Sequence, residues 1–89
     1  MARLFFTQQL ARFTSVPQVE TSAGALRAAL EDAFAIAPLL RGYVLDDQGR
    51  LRANVTIFID GRRCHDPARL DDPLQPGSQV YVLQALSGG

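Results

Sequence analysis

Between Ala23 and Ile36, apolar residues recur at Leu26, Ala29, Leu30, Ala33 and Phe34, the spacing of one face of an α-helix. Thr21 and Ser22 stand ahead of this stretch as N-cap residues. Pro38 stops it, because the residue before a proline is pushed out of the helical region. One amphipathic helix covers one face of one sheet, so the rest of the 89 residues are expected to supply that sheet. A chain of this length holds a single small core, with too little interior for a second domain or a large cofactor.

The strands are read around the helix. "RLFFT" is short, apolar and aromatic, and "VPQVET" is a second strand whose Pro17 argues for a sheet edge. "QQLARFTS" joins them as a turn or loose helical loop. After the helix, "APLLRGYVLDDQGRLRA" reads as a loop with a turn at "DDQG" and a short strand around Val44. "NVTIFI" is the clearest strand of the chain. Asp60 and Gly61 are the two residues of a tight hairpin, so "RRCH" should return as a short strand. "DPARLDDPLQPGS", with three prolines and a glycine, is irregular connection, and "QVYVLQ" is the last strand. This order predicts an α+β fold of the β-grasp, or ubiquitin-like, kind: a mixed sheet on one main helix, with the first and last strands side by side in its centre. Residues 1–84 form the domain and 85–89 a flexible tail leaving the last strand.

Charge narrows the partners. Nine arginines balance nine carboxylates, so no overall positive field draws the chain to nucleic acid, and no polybasic segment holds it to a membrane. No apolar run approaches the roughly 20 residues of a spanning helix, and "MARLFFTQQLARF" lacks the zones of a secretory signal. A cytoplasmic location is expected. The single Cys64 fits a reducing compartment and excludes an intramolecular disulfide. The sequence contains no lysine, so no isopeptide chain can be built on it.

The sequence stops on "QALSGG". Glycine costs the most backbone entropy to order and brings no side chain to bury, so a Gly-Gly end suits a segment meant to enter something else. With Asp60 and Gly61, then Pro73, Leu74 and Gly77, then Gly88 and Gly89, the chain resembles the small sulfur-carrier family of the ubiquitin-like superfamily (the MoaD/ThiS family). That family includes the molybdopterin synthase small subunit and the thiamine sulfur carrier, and "RLFFTQ" resembles the first strand of the former. The chain departs from many members at Ser78, where an acidic residue follows the glycine, and in a tail without proline.

The resemblance implies a cycle. A ubiquitin-activating-type enzyme uses ATP and Mg to adenylate the carboxylate of Gly89, and a sulfur nucleophile from a cysteine desulfurase or rhodanese-type donor displaces AMP. The resulting thiocarboxylate passes its sulfur to a larger synthase subunit or another acceptor. The acceptor implied is that of molybdopterin synthesis, with thiamine or cysteine synthesis as sibling routes. A lysine of another protein would take the acyl group instead if the chain is a protein modifier, and a plain interaction module is the third reading. Gly88 and Gly89 suit entry into a narrow nucleotide site because they lack Cβ atoms. No cofactor is expected to be bound by the chain itself, which acts as a cosubstrate more than as a self-sufficient enzyme.

A carrier must also dock. Neighbouring strand residues point to opposite faces, so Phe5 and Phe6 place one ring on each side of the sheet. Tyr81 and Leu83 oppose Val80 and Val82, and Phe58 opposes Ile57 and Ile59. One helix leaves some apolar surface over; either loops such as "DPARLDDPLQPG" cover it, or it is a docking patch that makes Phe5, Phe6, Phe58, Tyr81 and Leu83, with Leu86 of the tail, the candidate partner-binding residues. Cys64, His65 and Asp66 are adjacent and so cannot line up as nucleophile, base and orienter; they also fall short of the four ligands of a zinc site. Asn54 opens an idle glycosylation sequon. Gly42, Gly49 and Gly77 form no phosphate loop.

Overall fold

The computed structural model describes residues 1–7, 10 and 18–84. Strands β1 (Ala2–Phe6) and β2 (Gln18–Thr21) pair antiparallel. Helix α1 (Leu26–Ile36) and a shorter helix α2 (Leu39–Val44) follow, then β3 (Val55–Ile59), β4 (Arg62–Arg63) and β5 (Gln79–Gln84). The sheet order is β2-β1-β5-β3-β4, with β1 and β5 parallel in the centre and β5 antiparallel to β3. This is the expected β-grasp fold. The tail 85–89, Pro17 and nearly all of "QQLARFTS" lie outside the described residues.

Period-two burial shows how the sheet meets its helix. Ala2 and Leu4 of β1, Val80 and Val82 of β5, and Val55, Ile57 and Ile59 of β3 are buried, alternating with residues of higher exposure. The anticipated stripe of α1, Leu26, Ala29, Leu30, Ala33 and Phe34, is buried against them. Leu10, Leu40, Val44 and Leu70 also belong to the core, with Val19, Leu45 and Leu74.

Three expectations are corrected. Helix α1 begins at Leu26, with extended Ala25 as N-cap and no side-chain cap. Its leading N–H groups are taken by a distant loop: Leu26 donates to the Asp72 carbonyl at 2.9 Å and Arg27 to that of Leu70 at 2.8 Å. Thr21 instead belongs to β2, where its hydroxyl donates to the Asp32 carboxylate and accepts from the Ala23 N–H; Ser22 is exposed. The short strand expected around Val44 reduces to a single antiparallel bridge between Leu45 and Leu51, and Val44 itself is the last residue of α2. Pro38, with φ −58°, stops α1 and is itself the N-cap residue of α2, while Leu40 and Val44, one turn apart, fill the core. The return strand is shorter than "RRCH": it ends at Arg63, although the Cys64 N–H still reaches the Ile57 carbonyl at 2.8 Å. The "DDQG" turn is present, with Gly49 at φ 77° and the Asp46 carboxylate accepting from the N–H groups of Gln48 and Arg50.

Candidate functional site

The side of the sheet opposite α1 carries one continuous row. Register places Gln18 beside Phe5, Phe5 beside Tyr81, Tyr81 beside Phe58 and Phe58 beside Arg63, so the row crosses all five strands. The Phe5 and Tyr81 rings stack with centroids 4.9 Å apart and planes 17° from parallel, the offset geometry that aromatic quadrupoles favour. Tyr81 is 40% exposed, and Phe5 and Phe58 are half-buried. Leu83 and Thr56 face each other on the same side. On the other flank Arg3 and Glu20, also register partners, form an ion pair at 3.6 Å.

Phe6 does not belong to this face. It pairs with fully buried Val82 and packs on the core, because even-numbered positions of β1 turn toward α1. Phe5, Phe58, Tyr81 and Leu83 are therefore the partner-binding candidates that the sheet brings together. Leu86, Gly88 and Gly89 lie outside the described residues. Position 84, the last of β5, is five residues before Gly89, and Gln84 donates its N–H to the Thr7 hydroxyl at 3.2 Å, while the Thr7 N–H reaches the Val82 carbonyl at 3.1 Å.

At the opposite end of β5 the motif residues form a compact knot. Asp60 and Gly61 both have positive φ, 52° and 86°, the two-residue hairpin turn whose twist matches its strands. The Asp60 carboxylate accepts from the Ser78 hydroxyl and the Gln79 N–H, both at 2.9 Å, and the Ser78 hydroxyl accepts from the Gln75 N–H at 2.9 Å. Those bonds hold the Asp60 carboxyl below the usual carboxylate range, the Gln79 N–H foremost and the Ser78 hydroxyl next. Ser78 is 3% exposed, and an acidic side chain in its place would face the Asp60 carboxylate.

The Cys64, His65 and Asp66 side chains do separate work. Cys64 is a buried thiol whose pKa is pushed up, first by burial and then by the charge of Asp72. The His65 N–H donates to the Asp72 carboxylate at 2.9 Å, and Asp66 accepts from the N–H groups of Ala68 and Arg69. Among the described residues no group of three His, Cys, Asp or Glu side chains could hold a metal. No helix among them is long and apolar enough to cross a membrane. Sequence reasoning did not single out Arg63 or Thr7. A two-residue turn at Asp60 and Gly61 already dictates that Phe58 meets Arg63, so the first was legible; Thr7 acts through a pairing of residues 77 positions apart and was not.

The sequence matches no protein-family model and no curated protein. Its fold matches solved structures along the whole chain. SAMP1 from Haloferax volcanii superposes with TM-score 0.81 at 19% identity, covering 99% of this chain and 98% of that one. A chain of the Amycolatopsis orientalis BexX/CysO complex gives 0.85 at 13%, covering all of both chains. Mycobacterium tuberculosis CysO gives 0.83 at 20%, covering 97% and 100%. At such identities the likeness is one of fold.

Proposed function

We propose that this chain is a sulfur carrier that docks through the Phe5, Tyr81, Phe58 and Leu83 face and is charged at the carboxylate of Gly89. The observation that carries this reading is the double use of β5. The strand presents Tyr81 and Leu83 on the face opposite α1 and ends at Gln84, five residues before Gly89. A partner gripping the face thus holds the root of the segment that must enter its active site. Five extended residues span about 17 Å, ample to thread a carboxylate into a nucleotide pocket.

The chemistry follows from the weakness of a carboxylate as an electrophile. Ionised at cellular pH, it must be activated from outside. A carboxylate oxygen of Gly89 attacks the α-phosphorus of ATP on the adenylating partner and pyrophosphate leaves. Hydrosulfide that attacks the acyl carbon expels AMP and leaves a thiocarboxylate directly; a persulfide donor expels AMP to give an acyl disulfide, whose S–S bond a thiol then cleaves, releasing the thiocarboxylate and forming a disulfide with the donor's sulfur. ATP and Mg belong to the partner, and the carrier needs no cofactor of its own. Molybdopterin synthesis is the acceptor we favour, on the resemblance of the "RLFFTQ" strand to that small subunit. Intact mass after incubation with the activating enzyme, ATP and a sulfur donor tests the reading: replacement of one oxygen by sulfur is expected, and an unchanged mass overturns it.

A second reading has one observation in its favour. A structural neighbour is a "small archaeal modifier protein 1", and the same adenylate would pass Gly89 to a lysine of another protein. An amide-linked adduct in place of the thiocarboxylate is the outcome that selects it.

A further inference from the structure

We propose that Arg63 is the specificity-determining residue of the aromatic face, reading a carboxylate on the surface of the partner that adenylates this chain. The inference rests on the carrier reading above. Arg63 closes the row that runs from Phe5 through Tyr81 and Phe58, on an exposed two-residue edge strand. Of the seven other arginines among the described residues none lies in that row, and Arg62 and Arg69 likewise form no ion pair. Arg3, Arg41 and Arg50 form ion pairs with Glu20, Glu31 and Asp46, while Arg27 and Arg52 donate to backbone carbonyls. Arg62 lies near enough to Asp60 to help ionise it. Arg63 makes no ion pair among the described residues. Asp72, which lines the same hollow as Arg63, accepts from the His65 N–H, and Asp66 accepts from those of Ala68 and Arg69; neither forms an ion pair with Arg63.

Among the described residues the aromatic row itself supplies no counter-charge. Glu20 is the single carboxylate in the five strands, and it sits at the far edge beside Arg3. Three rings, a leucine and the Arg63 guanidinium are complementary to an apolar hollow on a protein, rimmed at one place by an acid. A single cation in the aromatic row is too little for nucleic acid, whose affinity comes from neutralising many phosphates. A rim charge of this kind sets association and partner choice more than the strength of the final complex. Charge on a short edge strand also discourages edge-to-edge pairing, so the test must read recognition rather than solubility.

The experiment is ATP–pyrophosphate exchange with the ubiquitin-activating-type adenylating enzyme of the same organism, titrating the carrier at low and high salt. Arg63→Glu should raise KM about tenfold at low ionic strength, falling to about twofold near 0.5 M salt, with kcat unchanged. Arg63→Lys should recover most of the loss. Arg41→Glu, the same charge change on α2 across the sheet, should leave KM within about twofold. Circular dichroism establishes that each variant is folded. If Phe58→Ala raises KM while Arg63→Glu does not, the carrier reading stands and the role of Arg63 falls. Equal shifts for Arg63→Glu and Arg41→Glu overturn it in favour of overall charge. A salt-sensitive dimer that Arg63→Glu dissociates overturns it in favour of a second copy. A wild-type chain that supports no exchange removes the carrier reading and this inference together.

Discussion

At Gln79, where β5 begins, the backbone is clasped between the Asp60 carboxylate and the Asp60 N–H, which donates to the Gln79 carbonyl at 2.9 Å, with buried Ser78 bonding alongside. At Gln84, where the same strand ends, its position rests on the ladder to Val55 and on the Thr7 hydroxyl at 3.2 Å. The residues that read most like motifs, Asp60, Gly61 and Gly77, cluster at the first end. The chemistry proposed for the chain belongs beyond the second. Motif density therefore marks where β5 is fastened at its start, and the carboxylate proposed to react belongs to the sequence after its other end.

The comparison breaks most readily at the terminus. Deleting Gly89, or adding one residue after it, should abolish ATP–pyrophosphate exchange and leave the melting temperature unchanged. One extended residue spans about 3.3 to 3.6 Å, a whole reaction distance. Exchange by the truncated chain at the wild-type rate would show that the terminal carboxylate is not the reacting group. Core truncations bear on both ends of β5 at once. Leu30→Ala and Phe34→Ala should each cost about 2–5 kcal/mol in denaturant unfolding, since both side chains are buried beneath the sheet. Neutral values for both would mean the packed face of α1 is misassigned.

Smaller changes separate the ends. Ser78→Ala leaves the Gln75 N–H and an Asp60 oxygen without their buried partner and should cost about 1–3 kcal/mol, with exchange kinetics at the wild-type level. Thr7→Ala should cost no more than about 1 kcal/mol, because a single neutral bond at the other end is lost. A larger effect for Thr7→Ala than for Ser78→Ala reverses the comparison. The finest test is pH. The Asp60 carboxyl titrates below its ordinary value in the folded protein, so its contribution is full above the unfolded value of about 3.9 and is lost as pH falls through the lower, folded one. Asp46 and Asp66, lowered chiefly by the N–H groups of Arg50 and Ala68, behave alike, so the Asp60 part is isolated by comparing melts with Asp60→Asn. Asparagine retains the positive φ of the turn, and its melting temperature should fall less steeply below pH 4. Parallel pH profiles would remove Asp60 from the fastening.

Much of this could be read directly. The stripe from Leu26 to Phe34, the alternation in β3 and β5, and the Asp60–Gly61 turn are local patterns, each enforced by the residues that carry it. The order of those elements determined the β-grasp arrangement, and the turn fixed Phe58 opposite Arg63. Three features depended on the assembled chain. Thr21 and Ser22 are acceptable caps by residue type, yet α1 starts at Leu26 because the Leu70 and Asp72 carbonyls, more than 40 positions away, take its N–H groups. The segment after Pro38 is too short for periodicity to declare it, and becomes α2 because Leu40 and Val44 find the core. Phe5 and Phe6 are the same side chain in adjacent positions; the parallel pairing of β1 with β5 sends Phe6 inward beside Val82 and leaves Phe5 to stack on Tyr81. Residue identity determines which conformations a segment can adopt, whereas facing, capping and burial are decided by neighbours that only the closed sheet brings within reach.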